Sequence, residues 1–221
     1  MKMKGGVTEI AAIMRHNDTE KRQQNNHSNK DIDTERTREN LTWRELSYTE
    51  TLSAFKKRIQ HLDETTNTNK RSDRVEAYSL CVPIPEGIPA EKFFKDFCQL
   101  SEEHFGKDNV INAWLHLDEI HSYVDKDLTV RQSLAHVHML VVPEINGVLI
   151  AKKFSSKKAM SGINKTVDTM CMEKYGQHFL TGNTPQKKTV EELKEETEAQ
   201  EKALKELQSK EVVKPKKKGF G

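Results

Sequence analysis

His136 and His138 stand at positions i and i+2 of SLAHVHMLVVP, residues 133–143, inside a run of Val, Met and Leu. On a β-strand such residues point to the same side. Two imidazoles on one face of an apolar strand are costly unless their nitrogens are satisfied. A divalent metal satisfies them well, because neutral imidazole is a good ligand. His116 lies in a second apolar stretch, VINAWLHL at 110–117, followed at once by Asp118 and Glu119. If the two strands are neighbours, His116, His136 and His138 form a three-imidazole face. Asp118 or Glu119 then stands at its edge as an outer partner, a further ligand or a base. An H-x-H pair alone reads more readily as surface or hydrogen-bonded histidines, and the H-L-D-E on a separate strand tips the balance to metal. Three imidazoles with open positions suit Mn, Zn, Co or Ni better than Mg. Spacing does not choose among them, and it leaves hydrolysis of small molecules open.

Positioning these side chains requires a sheet. Residues 75–82, 110–117 and 136–142 read as core strands, and alternation puts Asn112, Trp114, His116 and Asp118 on one face. Leu52, Phe55, Ile59 and Leu62 recur at helical spacing after Ser47. Pro89 opens a second helix carrying Phe93, Phe94, Phe97, Leu100 and Phe105, and Gly106 closes it. Ser155 or Ser156 caps a third helix, ending at Tyr175 before Gly176, and Asn146–Gly147 marks a hairpin turn. Residues 7–15 read as a short strand leading into His16. Residues 17–46 are polar, without apolar periodicity, and read as a long functional loop or arm. The expected fold class is α+β, a mostly antiparallel central sheet with helices packed on one side of it, plus a C-terminal charged helix.

The chain has 221 residues, 34% hydrophobic and 32% charged, so its apolar material must be concentrated. A net charge of +2, from 36 basic and 34 acidic residues, does not announce a nucleic-acid binder, so any basic footprint is local. The cysteines, Cys81, Cys98 and Cys171, form no disulfide framework, which fits a cytoplasmic location. No stretch approaches the roughly 18 apolar residues of a membrane span, and the start does not read as a signal peptide. The domains expected are a main domain over 1–182, a charged helix over 183–211 and a disordered basic tail over 212–221. Val190, Leu193, Leu204 and Leu207 give that helix a stripe at roughly heptad positions.

The pattern HLDE at 116–119 with HVHMLVVP at 136–143 resembles the metal motif of the Mob/Pre plasmid mobilisation relaxases, the MobV group of the histidine-hydrophobic-histidine endonucleases. RHNDTEKRQQNNHSNKDIDTERTREN at 15–40 is similar to the N-terminal motif of that family. NKRSDRVEAYSL at 69–80 resembles its R-x-x-R element before a core strand. The matches run in the family's order and span residues ~7–180.

The resemblance implies a metal-dependent enzyme that nicks one strand of plasmid DNA at an origin of transfer and religates it through a covalent 5′-phosphate intermediate. It implies a metal on His116, His136 and His138, with Mn²⁺ first and Mg²⁺ or another divalent ion as alternatives. It places the nucleophile at His16, with Glu119 preferred over Asp118 as its orienting carboxylate. Tyr48 is the nearest tyrosine alternative. The DNA contacts expected are Arg15, Arg22, Arg36, Arg38, Arg71 and Arg74, with Lys21 and Lys30 as further candidates and His27 as loop structure or a contact. Trp114 either stacks a base or packs in the core. The partner expected is an origin hairpin, single-stranded at the nick, and a homodimer through the C-terminal helix is a further expectation. Residues 120–135 separate Glu119 from His136, a longer interval than the family usually has. Asp125–Ser133 reads as an inserted hairpin tip that brings His121 in as a spare ligand, and Ala135 stands where a Pro is usual. The alternatives are a rolling-circle replication initiator using tyrosine, a non-cleaving origin-binding repressor and a small-molecule metallohydrolase.

Overall fold

A computed structural model describes residues 7–24, 32–66, 74–120, 122–124, 127–179 and 190–212. His27, Lys30, Arg71, His121 and the basic tail lie outside the described residues. The chain divides into two units, residues 1–119 with 134–181, and residues 120–133 with 182–221.

The first unit is built on a four-stranded sheet in the order β1-β3-β6-β2, with β1 at Leu41–Thr42, β2 at Tyr78–Pro83, β3 at Val110–His116 and β6 at His136–Val141. Every neighbouring pair is antiparallel. Helices cover both faces, which corrects the expectation of helices on one side only. The reason is visible in β3, which is buried at all of its positions. A strand wetted on one face would alternate apolar with polar, whereas VINAWLH is nearly continuous.

On one face, Ala113, Leu115, Val137 and Met139 meet α4 (Ala90–Phe105), α5 (Ala151–Phe154) and α6 (Lys157–Tyr175). Helix α4 presents Phe93, Phe94 and Phe97, all buried, each worth about 1.5–3 kcal/mol of burial. On the other face, Trp114 and Leu140 meet Ile10 and Met14 of α1 (Val7–Asn17) and Phe55, Ile59 and Leu62 of α3 (Tyr48–Thr65). Residues 7–15 therefore form a helix, not the expected strand. Ile10 and Met14 are one helical turn apart, and EIAAIM can bury that stripe only as a helix.

The helix boundaries follow the sequence closely. Ser47 caps α3 in a reciprocal pair with Glu50, and Ser156 caps α6 through the Ala159 backbone N–H. Gly176 closes α6 in the left-handed region. Asn146 and Gly147, both with positive φ, turn the hairpin of β7 (Glu144–Ile145) and β8 (Val148–Leu149). The polar arm holds α2 (Thr19–Gln24), a 3-10 turn at Thr37–Glu39 and β1. In the second unit, β4 (Ser122–Val124) and β5 (Val130–Gln132) form the expected inserted hairpin. Helix α7 (Val190–Val212) packs against β4, so the insertion groups with the charged helix. Among the described residues no helix is long and apolar enough to cross a membrane.

Candidate metal centre

Strand register gathers the histidines. His116 stands directly opposite His136, and His138 directly opposite Trp114 on one side and Cys81 on the other. Directly opposed side chains share a face. The ring centroids of His116, His136 and His138 lie 4.9–5.2 Å apart in each pairing. His16 joins them from the last turn of α1. Packing of Ile10 and Met14 on the sheet brings its ring to 5.6 Å from His116 and 5.8 Å from His138. Three overlapping sets of ligand atoms lie within 4.8 Å of one another: His16, His116 and His138; His116, Glu119 and His136; and Cys81, His136 and His138. Each of the three expected ligands belongs to two of these sets.

Glu119 joins the cluster together. Its Oε1 lies 3.0 Å from His116 Nδ1 and 3.3 Å from His16 Nε2, and its Oε2 lies 3.6 Å from His136 Nε2. Arg22 donates to Glu119 Oε1 and, at 3.1 Å, to Asp118 Oδ1. Asp118 is fully buried and also accepts from Thr37 Oγ1 at 2.8 Å. The polar arm holds the turn through its backbone as well: Asp33 N–H donates to the Asp118 carbonyl, and Leu117 N–H donates to Asn40 Oδ1. A buried carboxylate pair beside histidines would repel itself without that guanidinium.

Burial lowers the pKa of His116 to about 4, against a raising contribution from Glu119, and burial likewise lowers His136 and His138. The imidazoles are therefore neutral at pH 7. For Glu119, burial pushes the carboxyl up, but bonds from His116 and His16 and the Arg22 charge outweigh it and hold it well below the usual carboxylate range. A neutral His116 facing that carboxylate carries its hydrogen on Nδ1 and donates it to Glu119. Arg22 Nη1, 3.2 Å from the same nitrogen, is then committed to Asp118. His116 Nε2 is left as a lone pair, and it is a buried atom with no hydrogen-bond partner. His136 repeats the arrangement, Nδ1–H donating to the Leu134 carbonyl at 3.3 Å and leaving Nε2. Such outer bonds fix the tautomer of metal-ligating histidines. The residues fit a divalent cation on this ground.

Other expected residues fall elsewhere. Arg22 is 3% exposed with its guanidinium on Asp118 and Glu119, so it braces the cluster and does not stand where a DNA backbone could reach it. Trp114 is buried in the core under α1 and α3, which removes it as a base-stacking platform. Tyr48 packs against that same core at the start of α3. Arg15 and Arg38 are exposed, and Arg36 pairs with Glu39 at 3.2 Å. Arg74 is held by Asp63 and by Glu76. Cys81 was not foreseen in the cluster, because its place there depends on β2–β6 register and β2 carries no histidine to mark it. Thr37 and Asn40 were also missed, and a lone Thr or Asn in a polar arm gives no signal of what it will bond.

The family profile Mob_Pre, described as plasmid recombination enzyme, matches residues 1–195. A plasmid recombination enzyme type 1 of Staphylococcus aureus is 30% identical over 123 residues, which are 52% of this chain and 29% of the relative. The chain thus spans less than a third of that relative's length. Among solved structures, the Mn-bound MobM relaxase domain (MOBV; Mob_Pre) with 22-nucleotide oriT DNA of plasmid pMV158 matches at a TM-score of 0.64 and 23% identity, covering 89% of this chain and 96% of that one. The same domain bound to 26-nucleotide oriT DNA matches at a TM-score of 0.54 and 22% identity, over 87% and 95%. These structures share the fold.

Proposed function

Since the chain belongs to the Mob_Pre family of plasmid recombination enzymes, we propose that it is a plasmid mobilisation relaxase. In this reading it cuts and rejoins one strand of plasmid DNA at an origin of transfer, with the 5′ phosphate held on His16 in between. The observation that carries the proposal is the placement of His16 against Glu119 and within 6 Å, ring to ring, of His116 and His138. That the MobM relaxase domain was solved Mn-bound with oriT DNA supports the choice of partner and ion.

His116, His136 and His138 would hold a divalent cation, Mn²⁺ foremost, which supplies charge neutralisation at the scissile phosphate. The protein's own groups do the rest. Glu119 accepts from His16 Nε2–H, and Nδ1 would be the nitrogen that attacks phosphorus. The N–P bond forms as the P–O3′ bond breaks, and the 3′ oxygen leaves with the electron pair and takes a proton from water to become the 3′ hydroxyl. The ring would become cationic, and the Glu119 carboxylate stabilises it. Arg22 keeps Glu119 ionised and aimed. Rejoining runs the same path backwards from the 3′ hydroxyl. Exposed Arg15 and Arg38 would contact phosphates, while Arg74 would have to exchange a carboxylate for one. Residues 1–182 would carry the chemistry and the helix after residue 183 an accessory or dimerising role.

The test is relaxation of a supercoiled plasmid bearing the DNA upstream of the gene, with Mn²⁺. Wild type and Tyr48→Phe should nick, while His16→Ala should not yet still bind the origin oligonucleotide. Nicking by His16→Ala would sink the proposal, and loss in Tyr48→Phe alone would point to a tyrosine initiator.

A further inference from the structure

Cys81 has no part in the chemistry above, yet it belongs to one of the three ligand sets, at the edge of the cluster. The β2–β6 register sets it directly opposite His138, with Pro83 opposite His136. Its Sγ and one nitrogen of each of His136 and His138 lie within 4.8 Å of one another. A tetrahedral zinc needs ligand atoms roughly 3.3–3.8 Å apart, so small rotations close the set. Cys81 is the most exposed residue of the three.

The two ligand sets differ in chemistry. Imidazoles accept most divalent ions, but a thiolate selects soft ones and disfavours Mn²⁺ and Mg²⁺. The sets also compete. His136 spends its Nδ1 hydrogen on the Leu134 carbonyl, so only Nε2 can ligate. One lone pair cannot serve two cations.

We propose that Cys81, His136 and His138 form an alternative seat for a thiophilic divalent cation such as Zn²⁺, exclusive of the seat that includes His116. Binding replaces the thiol proton, which goes to solvent, and leaves the ion with an open fourth position for water. An ion in this seat takes two imidazoles away from the phosphate-activating arrangement. The availability of Zn²⁺ relative to Mn²⁺ then sets which arrangement the protein adopts. The inference rests on the reading of the histidines as metal ligands, not on DNA nicking.

The test uses the full chain and Co²⁺ as a visible substitute for Zn²⁺. One equivalent should give wild type a sulfur-to-cobalt charge-transfer band that Zn²⁺ abolishes. Cys81→Ser should lack the band and bind Zn²⁺ about tenfold or more weakly in chelator competition, with Mn²⁺ affinity by electron paramagnetic resonance within about twofold. His116→Gln, checked for folding by circular dichroism, should keep the band. A wild type without the band, an equal band in Cys81→Ser, unchanged Zn²⁺ affinity in that variant, or loss of the band in folded His116→Gln would each overturn the seat. A band in a protein that nicks no DNA would leave the seat standing and remove the relaxase reading instead.

Discussion

Arg22, a buried residue of the polar arm, bonds both carboxylates of the HLDE turn, Asp118 and Glu119. Among other cations in a polar arm it looks like a phosphate contact, but its partners are nearly a hundred positions away. Removing one member of a buried ion pair costs about 3–5 kcal/mol, because the remaining charge is stranded. Arg22→Ala should lose about that much stability in urea denaturation, and a loss below about 1 kcal/mol would contradict the bracing role. The histidines, by contrast, were legible, because period-two spacing in an apolar strand needs no knowledge of distant residues. They also predict a pH effect. Burial lowers His116 from 6.5 to about 4 and lowers its two neighbours as well. The unfolded chain therefore binds more protons between roughly pH 6.5 and 4, and stability falls as pH drops through that window. The Tm of metal-free protein should decline from pH 7 to 5, and less steeply in His138→Gln. A flat profile in the wild type would show that the histidines are not held neutral by the fold.

At the scale of elements, local signals decided boundaries and long-range packing decided faces. The Ser47–Glu50 box starts α3 where the sequence says it should, and Ser47→Ala should cost about 1 kcal/mol in thermal or urea unfolding. No change in that measurement would mean the box contributes nothing to α3. Residues 7–15 were misread because a short apolar run fits strand and helix equally until its partner surface is known. The arm at 17–46 looked structureless for a different reason. Asp33, Thr37 and Asn40 tie its later part to the HLDE turn through polar bonds, which leave no hydrophobic period to detect. Two-sided cover of the sheet was implicit in the unbroken apolar run of β3 but was read as one-sided.

For the whole molecule, the histidine cluster and both apolar cores belong to the first unit, while the inserted hairpin and α7 belong to the second. Chain truncated after residue 181 should therefore still cleave an origin oligonucleotide with Mn²⁺, within about tenfold of the full chain. Loss of cleavage in a folded truncation would place a needed group in the second unit. The balance of 36 basic and 34 acidic residues also has a consequence for the proposed function: DNA affinity would come from local cations such as Arg15 and Arg38. Affinity for the origin should fall linearly in log salt, and Arg15→Ala should make that slope shallower by about one unit. An unchanged slope would remove Arg15 from the contact surface.

In the proposed mechanism His16 carries the DNA. The direct measurement is mass spectrometry of the peptide that holds the nucleotide after the protein has cleaved a single-stranded origin oligonucleotide. The expected result is a 5′-phosphate adduct on the peptide containing His16, lost on acid treatment as a phosphoramidate is. An acid-stable adduct on the peptide containing Tyr48, or cleavage with no adduct, would contradict the account.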